Sequence, residues 1–408
     1  MSASQASLAK ALPPMDYRGR ADALRTAMEG AGCEALLVSK VVNVRYLTGF
    51  SGSAAMLLLT PGDVILVTDG RYQAQAQEEL ARSGAPARLE AAPVAEQQDL
   101  LSDLTAAFGT VGVEAEHVSW ARQRALEQGW GRRKALVPTM GLVERLRERK
   151  CAGEVARIAA ACTIADRALA AVEGMLEERP SEVEVAVALD AEMRRLGAEG
   201  LAFETIVASG PNAALPHHSP SPRRVRPGEL LVVDFGARVE GYRSDMTRTF
   251  APGGNGAGVA RARGELARIS HVVLASQDAG LSAVREGASG GEVDRACREV
   301  VEAAGLGDFF VHGTGHGVGL EIHEAPSLAK PSKDILSTGQ VLTVEPGVYI
   351  PGLGGARTED TVLVTDAGCE LLTMSPKLSQ RAAAASWAGR RQGRAPKMAG
   401  YGRRVTNL

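Results

Sequence analysis

The stretch "LLVVDFGARVEGYRSDMTRTF", Leu230 to Phe250, decides how this chain is read. Two runs of strand-forming residues flank a polar, glycine-containing centre, a pattern that predicts a β-hairpin turning near Val239 to Gly241. An aspartate is embedded in each run. Asp234 directly follows Leu230, Leu231, Val232 and Val233, a segment apolar enough to be buried on both faces, and a carboxylate there is costly unless a cation meets it. With the turn at that place, Asp245 comes opposite Asp234 to within a residue or two, the Cβ atoms about 5 Å apart. Two carboxylates that close in an apolar setting cannot both stay ionised on their own, and a divalent cation removes the conflict.

The pattern recurs downstream. "QVLTVEPGVYI" (340–350) and "GARTEDTVLVT" (355–365), joined through "PGLG", again give an apolar strand with one embedded acid, a glycine-containing connection, and a strand with a second acid. Glu345 and Glu359 stand where Asp234 and Asp245 stood. A lone strand acid is usually solvent-facing or salt-bridged. Four of them in matched pairs point instead to more than one metal ion, held between two structurally similar halves.

Histidines gather around the same elements. "HGTGHGVGLEIHE" carries His312, His316 and His323 in a run whose glycines let backbone approach a ligand closely, and the proline-rich loop "PHHSPSPRRVRPG" adds His217 and His218. Five of the seven histidines thus fall in two short windows, which favours a site over isolated structural roles.

At 408 residues the chain is long enough for two domains. Its 45% apolar and 23% charged composition and net charge of −2 are those of a soluble globular protein, and imply neither a nucleic-acid nor a membrane partner. No secretory h-region and no run of 18 apolar residues is present, so the expected location is the cytoplasm. The five cysteines lack C-x-x-C spacing and are expected to be reduced and buried. Residues 21 to 140 alternate helical and strand patterns and predict an α/β layer domain in which nothing groups acids with His or Cys, so shape, dimerisation or substrate exclusion is its expected role. From Gly141 the pattern turns helical, with a domain boundary near Lys150. In "PSEVEVAVALDAEMRRLG", Ser181 and Glu184 have capping-box spacing ahead of an amphipathic helix. The expected division is 1–150, 151–376, and a basic, solvated, disordered tail over 377–408.

Two motifs are decoys. "GASGG" satisfies G-x-S-x-G around Ser289, but a helical pattern precedes it, so Ser289 reads as a helix cap and not as the nucleophile of a serine hydrolase. "HEAPS" begins like H-E-x-x-H and lacks the second histidine.

Together, "DFGARVEGYRSDMTRTF", "HGTGHGVGLEIHEAP", "TVEPGVYI" and "ARTEDTVLVT" resemble the motif set of the pita-bread (M24-type) metallopeptidases, specifically the Xaa-Pro aminopeptidases and Xaa-Pro dipeptidases (prolidases). "VRYLTGFSGSAAMLLLT" and "LVTDGRYQAQA" resemble the N-terminal domain of the same group. The resemblance implies an α/β creatinase-like domain followed by an α+β pita-bread catalytic domain with two pseudo-symmetric halves. It implies Asp234, Asp245, His316, Glu345 and Glu359 as ligands of two divalent metals, with Asp245 and Glu359 bridging. His217, His312, His323 and Arg357 match positions that contact substrate or stabilise the transition state, and a homodimer is expected.

Oxygen-rich ligation with one imidazole suits Mn²⁺ first, with Co²⁺, Fe²⁺ or Zn²⁺ as alternatives. Two such ions about 3.5 Å apart would lower the pKa of a shared water toward neutrality, giving a hydroxide that attacks the carbonyl before a proline nitrogen. Glu345 is the expected proton donor to the departing amine, with His323 and His217 hydrogen-bonding the oxyanion or the substrate's polar groups. The expected substrate is a peptide with proline at its second position. Rival readings are a non-catalytic pita-bread binding module, which should lack the metal ligands, and methionine aminopeptidase-like or creatinase-like hydrolases.

Overall fold

The computed structural model describes residues 12–130, 134–252 and 264–377, so the expected basic tail lies outside the described residues beyond Lys377. The N-terminal region opens with helix α1 (Tyr17–Gly30), capped by Asp16, whose carboxylate accepts from the Gly19 amide at 2.8 Å. There follow β1 (Ala35–Val38), α2 (Val41–Thr48), β2 (Ala55–Leu59), β3 (Val64–Thr68), α3 (Gln73–Ser83), β4 (Arg88–Ala91), α4 (Gln97–Leu104), β5 (Thr110–Glu114), α5 (Trp120–Trp130) and β6 (Ala135–Thr139). They form one sheet in the order β4-β3-β2-β1-β5-β6, antiparallel around β2 and parallel elsewhere.

Both faces of that sheet are covered, as its near-continuous apolar strands require. Leu36, Val38, Leu57, Leu59 and Leu66 pack on one side, Ala35, Leu37, Leu58, Ile65 and Val67 on the other. The first of these clusters does not stop at the domain edge, since it takes in Ile158, Cys162, Tyr242, Val318, Leu320 and Val341. Helix α6 (Leu142–Glu148) leads to the seam, where Lys150 separates it from α7 (Ala152–Val172).

The second region is built twice over. In its first half α7 and α8 (Glu182–Arg195) cover a sheet of β8 (Ile206–Ser209), β9 (Leu231–Phe235) and β12 (Met246–Phe250), closing a core of Leu169, Leu189, Val207, Leu231, Val233 and Phe235. In its second half α9 (Glu265–Ala283) and α10 (Gly290–Ala303) cover a sheet that includes β13 (Gly315–Gly317), β14 (Glu324–Leu328), β15 (Val341–Val344) and β18 (Asp360–Thr365), over a core of Ile269, Val273, Val293, Leu342 and Val362. This is the α+β arrangement of two similar halves that the paired hairpins predicted. The expected capping box on α8 is present: Ser181 Oγ accepts from the Glu184 amide at 3.2 Å while the Glu184 carboxylate accepts from the Ser181 amide at 2.6 Å. Ser289 caps α10 in the same way with Glu292, which ends its candidacy as a nucleophile. All five cysteines are free; Cys151 and Cys369 are only partly buried. Among the described residues no helix is long and apolar enough to cross a membrane.

Both hairpins are broken in the middle, and this corrects the placement of the acids. In the first, β9 pairs with β12 and the tip belongs to a separate three-stranded sheet, in which β10 (Ala237–Val239) pairs with β11 (Tyr242–Arg243) on one side and the short β7 (Gly200–Leu201) on the other. Glu240 and Gly241 turn the tip with φ of 45° and 86°, the doubly left-handed turn that suits a two-residue hairpin loop. At the break the strands cross closely, and a Cβ on Gly236 would lie 2.0 Å from the Ser244 carbonyl oxygen. In the second, β15 pairs with β18, and β16 (Gly347–Ile350) with β17 (Gly354–Arg357). Asp234 does lie inside its strand, but Asp245, Glu345 and Glu359 occupy the breaks. There the ladder is interrupted and a side chain is free to turn toward the space between the halves.

Candidate metal centre

The alternation of β9 sets the site. Leu231, Val233 and Phe235 face the first-half core, so Asp234 faces the other way. It points into a cavity of about 540 Å³ lined by Asp234, Asp245, His316, Glu345 and Glu359, and also by His217, His312, His323 and Arg357. The structure therefore brings all nine residues singled out from the sequence to one place. Ligand atoms of Asp245, His316 and Glu359 lie within 4.8 Å of one another. His316 Nε2 is 3.3 Å from Glu345 Oε1 and 3.6 Å from Asp245 Oδ2.

Each side chain is held by neighbours that follow from the strand pattern. Thr247, paired with Asp234 across the first hairpin, donates to Glu359 Oε2 of the second at 2.7 Å. His316 stands on β13, where a Cβ on Gly315 would lie 2.0 Å from the Thr343 carbonyl oxygen, so glycine is what allows β13 to press against β15. Its Nδ1 faces the Gly317 carbonyl at 3.0 Å, leaving Nε2 toward the carboxylates. The protein cation that Asp234 meets is Arg357, with Nη2 2.5 Å from Oδ2. Arg357 uses its other donors on Thr247 Oγ1 (3.1 Å), Tyr349 OH (2.8 Å) and the Pro216 carbonyl (3.2 Å).

Electrostatics show how incomplete that single guanidinium leaves the balance. Burial raises the Asp234 carboxyl above its usual range, with Arg357 opposing and Glu345 adding to the rise. Burial, then Glu359 and Asp234, push Asp245 well above its usual value, and burial with Glu345 and Asp234 does the same to Glu359. Glu345 goes the other way. Burial works against its charge, but the hydrogen bond and charge of His316 bring it down to about 2. Burial lowers His312 and His323, the latter also through His316.

Two buried oxygens, Asp234 Oδ1 and Glu359 Oε1, have no hydrogen-bond partner. Orphaned carboxylate oxygens among mutually repelling acids are what divalent cations satisfy, and the donor set of four carboxylates and one imidazole fits hard to borderline metals.

Metallopeptidase family M24 matches residues 156–366, and the creatinase/prolidase N-terminal domain matches residues 20–149. The chain belongs to metallopeptidase family M24. Similar to this M24 chain is a Xaa-Pro dipeptidase of Pyrococcus furiosus, 33% identical over 88% of this chain and 98% of the relative. Among solved structures, a Xaa-Pro dipeptidase from Bacillus anthracis superposes with a TM-score of 0.82 at 35% identity, covering 89% of this chain and 99% of that one. An X-Pro aminopeptidase from Thermotoga maritima gives 0.78 at 32% identity, covering 86% and 98%.

Sequence reasoning missed three contributors to this M24 site. Tyr349 is fully enclosed, its hydroxyl shared by Arg357 and by His312 Nε2 at 2.9 Å, and burial pushes it up to about 12 against the pull of Arg357. It lies in "TVEPGVYI", two residues into β16, and only its place beside Glu345 could have flagged it. Thr247 is one more threonine in the strand β12, with nothing in its neighbours to mark it. Glu182 lies in the first turn of α8, yet it is buried and accepts from the Ser209 amide (2.7 Å), Ser221 Oγ (2.6 Å) and His218 Nε2 (2.9 Å), which fastens the loop that presents His217.

Proposed function

We propose that this M24 chain hydrolyses the peptide bond before proline, in Xaa-Pro dipeptides or at the N-terminus of longer peptides with proline second. The observation that carries the reading is the convergence of four carboxylates and His316 on one cavity, with two buried carboxylate oxygens lacking any protein partner. The names of the relatives from Pyrococcus furiosus, Bacillus anthracis and Thermotoga maritima support the substrate class. Asp234, Asp245, His316, Glu345 and Glu359 would hold two divalent ions, Mn²⁺ first, with Co²⁺, Fe²⁺ or Zn²⁺ as alternatives. Bound there, such ions supply Lewis acidity that lowers the pKa of water toward neutrality.

The residues of the chain do the rest. Asp245 and Glu359, unfavourable as neighbouring anions, would be kept in their charged forms by a divalent cation held there. Glu345, kept as a carboxylate by His316 at 3.3 Å, takes the proton released by the attacking water and passes it to the departing proline nitrogen. His323, and His217 from the facing loop, hydrogen-bond the substrate carbonyl oxygen as it gains charge. His312 and Arg357, joined through the Tyr349 hydroxyl, fix the polar wall on which the substrate lies. A peptidase that reads the amide N–H at the scissile bond fails at proline, so an apolar wall such as Phe203, Ile206 and Ile322 is the fitting alternative.

The reading extends to a cytoplasmic homodimer, supported by free cysteines and by exposed Val94, Trp120 and Met140 on the N-terminal region, and sedimentation of the purified chain checks it. The deciding assay sets an Xaa-Pro dipeptide beside an Xaa-Pro-Yaa tripeptide with added Mn²⁺. Hydrolysis of either supports the reading, and the ratio of the two kcat/KM values separates dipeptidase from aminopeptidase. Inactivity on both under Mn²⁺, Co²⁺, Fe²⁺ and Zn²⁺ sinks it.

A further inference from the structure

His323 makes no hydrogen bond to the protein among the described residues; its ring rests edge-on against His316 with centroids 4.3 Å apart. Its orientation therefore depends on the backbone beneath it, and that backbone is fastened from the other domain. The loop from Gly319 to His323 joins β13 to β14. Arg243 holds it on one side, donating its amide to the Gly319 carbonyl at 2.9 Å and Nε to the Leu320 carbonyl at 3.1 Å. Glu324, the residue after His323, ties it on the other, its Oε1 accepting the Glu321 amide at 3.0 Å.

The Glu324 carboxylate is buried and meets two cations from the seam, Arg147 Nη2 of α6 and Lys150 Nζ at 3.2 Å. Arg147 Nη2 also reaches Glu321 Oε2 at 2.9 Å, and Nη1 donates to Asn43 Oδ1 of α2 at 2.7 Å. Asn43 is fully buried and donates in turn to Glu114 and Glu144, each at 2.7 Å, while Glu114 at the end of β5 accepts the Ser39 amide at 2.6 Å. A continuous run of polar contacts thus leads from the N-terminal sheet to the residue beside His323. Burial works against the charge of Glu324, but Lys150 and Arg147 bring it down to about 2.

A buried ion cluster of this kind adds little net stability compared with apolar residues of the same volume, so stability is a poor account of it. What it does provide is fixed geometry, and a catalytic side chain must be held to within about half an ångström of its productive position.

We propose that Arg147 is a positioning residue: by gripping Glu324 and Glu321 it sets the backbone on which His323 stands, and so makes the N-terminal domain part of the catalytic geometry. The effect on turnover rests on the peptidase reading above; the effect on the loop does not. Arg147→Met, Arg147→Lys, His323→Ala and the Arg147→Met/His323→Ala pair are made in the full chain. Each is measured for kcat, KM, bound metal, melting temperature, and hydrogen exchange of residues 317–324 in the metal-free protein.

Arg147→Met lowers kcat by about 10- to 100-fold with KM and metal content held, and speeds exchange across 317–324 by at least about tenfold. Arg147→Lys, which keeps the charge beside Glu324 but loses the fork, recovers part of both. With His323 already removed, the Arg147→Met cost shrinks to less than about twofold, because the pathway it acts through is gone. Losses that multiply in the double variant, or unchanged exchange in 317–324, overturn the proposal. Should Arg147→Met not fold, Arg147→Lys with His323→Ala carries the same cycle. A wild type inactive on every Xaa-Pro substrate counts against the proposed function instead, and the exchange comparison still decides whether Arg147 holds the loop.

Discussion

The two hairpins that supply the acids share a plan and differ in register. Each is a long antiparallel pair broken in the middle, with its tip in a separate ladder. In the first, Thr247 lies opposite Asp234, so Asp245 is displaced by two residues and the two carboxylates are diagonal. In the second, the pairs Val344 with Asp360 and Gly347 with Arg357 place Glu345 directly opposite Glu359 at the break. The place left opposite Asp234 goes to a threonine, and that threonine hydrogen-bonds Glu359 of the other hairpin. Offset in one half therefore creates the contact that joins the halves. A strict repeat would have faced acid against acid twice and left no neutral donor between them.

The comparison breaks most completely when a carboxylate at either break loses its charge. Asp245→Asn and Glu359→Gln should each lower kcat by about 10³-fold or more and reduce bound metal, as expected when several kcal/mol of charge stabilisation are lost. Near-normal turnover with full metal in either variant removes that residue from the ligand set. Next comes the tie between hairpins at Arg357. A lysine there cannot reach Asp234, Thr247 and Tyr349 together, so Arg357→Lys should cost about 10- to 100-fold in kcat/KM, and wild-type kinetics would show that the fork is dispensable.

Thr247→Val keeps shape and removes the donor to Glu359. About a tenfold loss of kcat or metal affinity is expected, read by activity against Mn²⁺ concentration, and an unchanged curve would mean the hydrogen bond between halves is idle. The smallest effect lies at the tips. Gly241 and Gly352 both have left-handed φ, 86° and 77°, but a Cβ at Gly241 would come within 2.6 Å of the Arg45 guanidinium while Gly352 faces open space. Gly352→Ala should cost about 1 kcal/mol in thermal or denaturant unfolding and Gly241→Ala more, both with normal kcat. Equal losses would show that Arg45 simply moves aside.

Much of this was legible in the residues. Leu230 to Val233 read as a doubly buried strand because no polar residue interrupts them, and the capping box at Ser181 and the helix cap at Ser289 read true because their chemistry is local. The four acids and the histidines of the cavity were legible as a pattern of type and spacing, and Arg357 through the family resemblance. What escaped depends on distance in sequence. Asp245, Glu345 and Glu359 were expected within strands, and only the interrupted ladders put them at breaks. Nothing in "VVNVRYLT" announces that Asn43 will meet Arg147, or that Arg147 will meet Glu321, 174 residues further along the chain. Such contacts are made between elements that tertiary packing brings together, and no local periodicity encodes them.

The apolar cluster that runs from Leu24 and Met28 through Leu57 and Leu59 to Val318, Leu320 and Val341 has a consequence for dissecting the molecule. A catalytic fragment beginning at Ala152 would bare the oily flank formed by Ile158, Leu320 and Val341 to solvent. It would also strand Glu324 without Arg147 or Lys150. Truncation is thus the wrong tool for asking what the first 150 residues contribute: heat or denaturant should melt both portions in a single transition, and substitutions along their shared border are the way to interrogate either one.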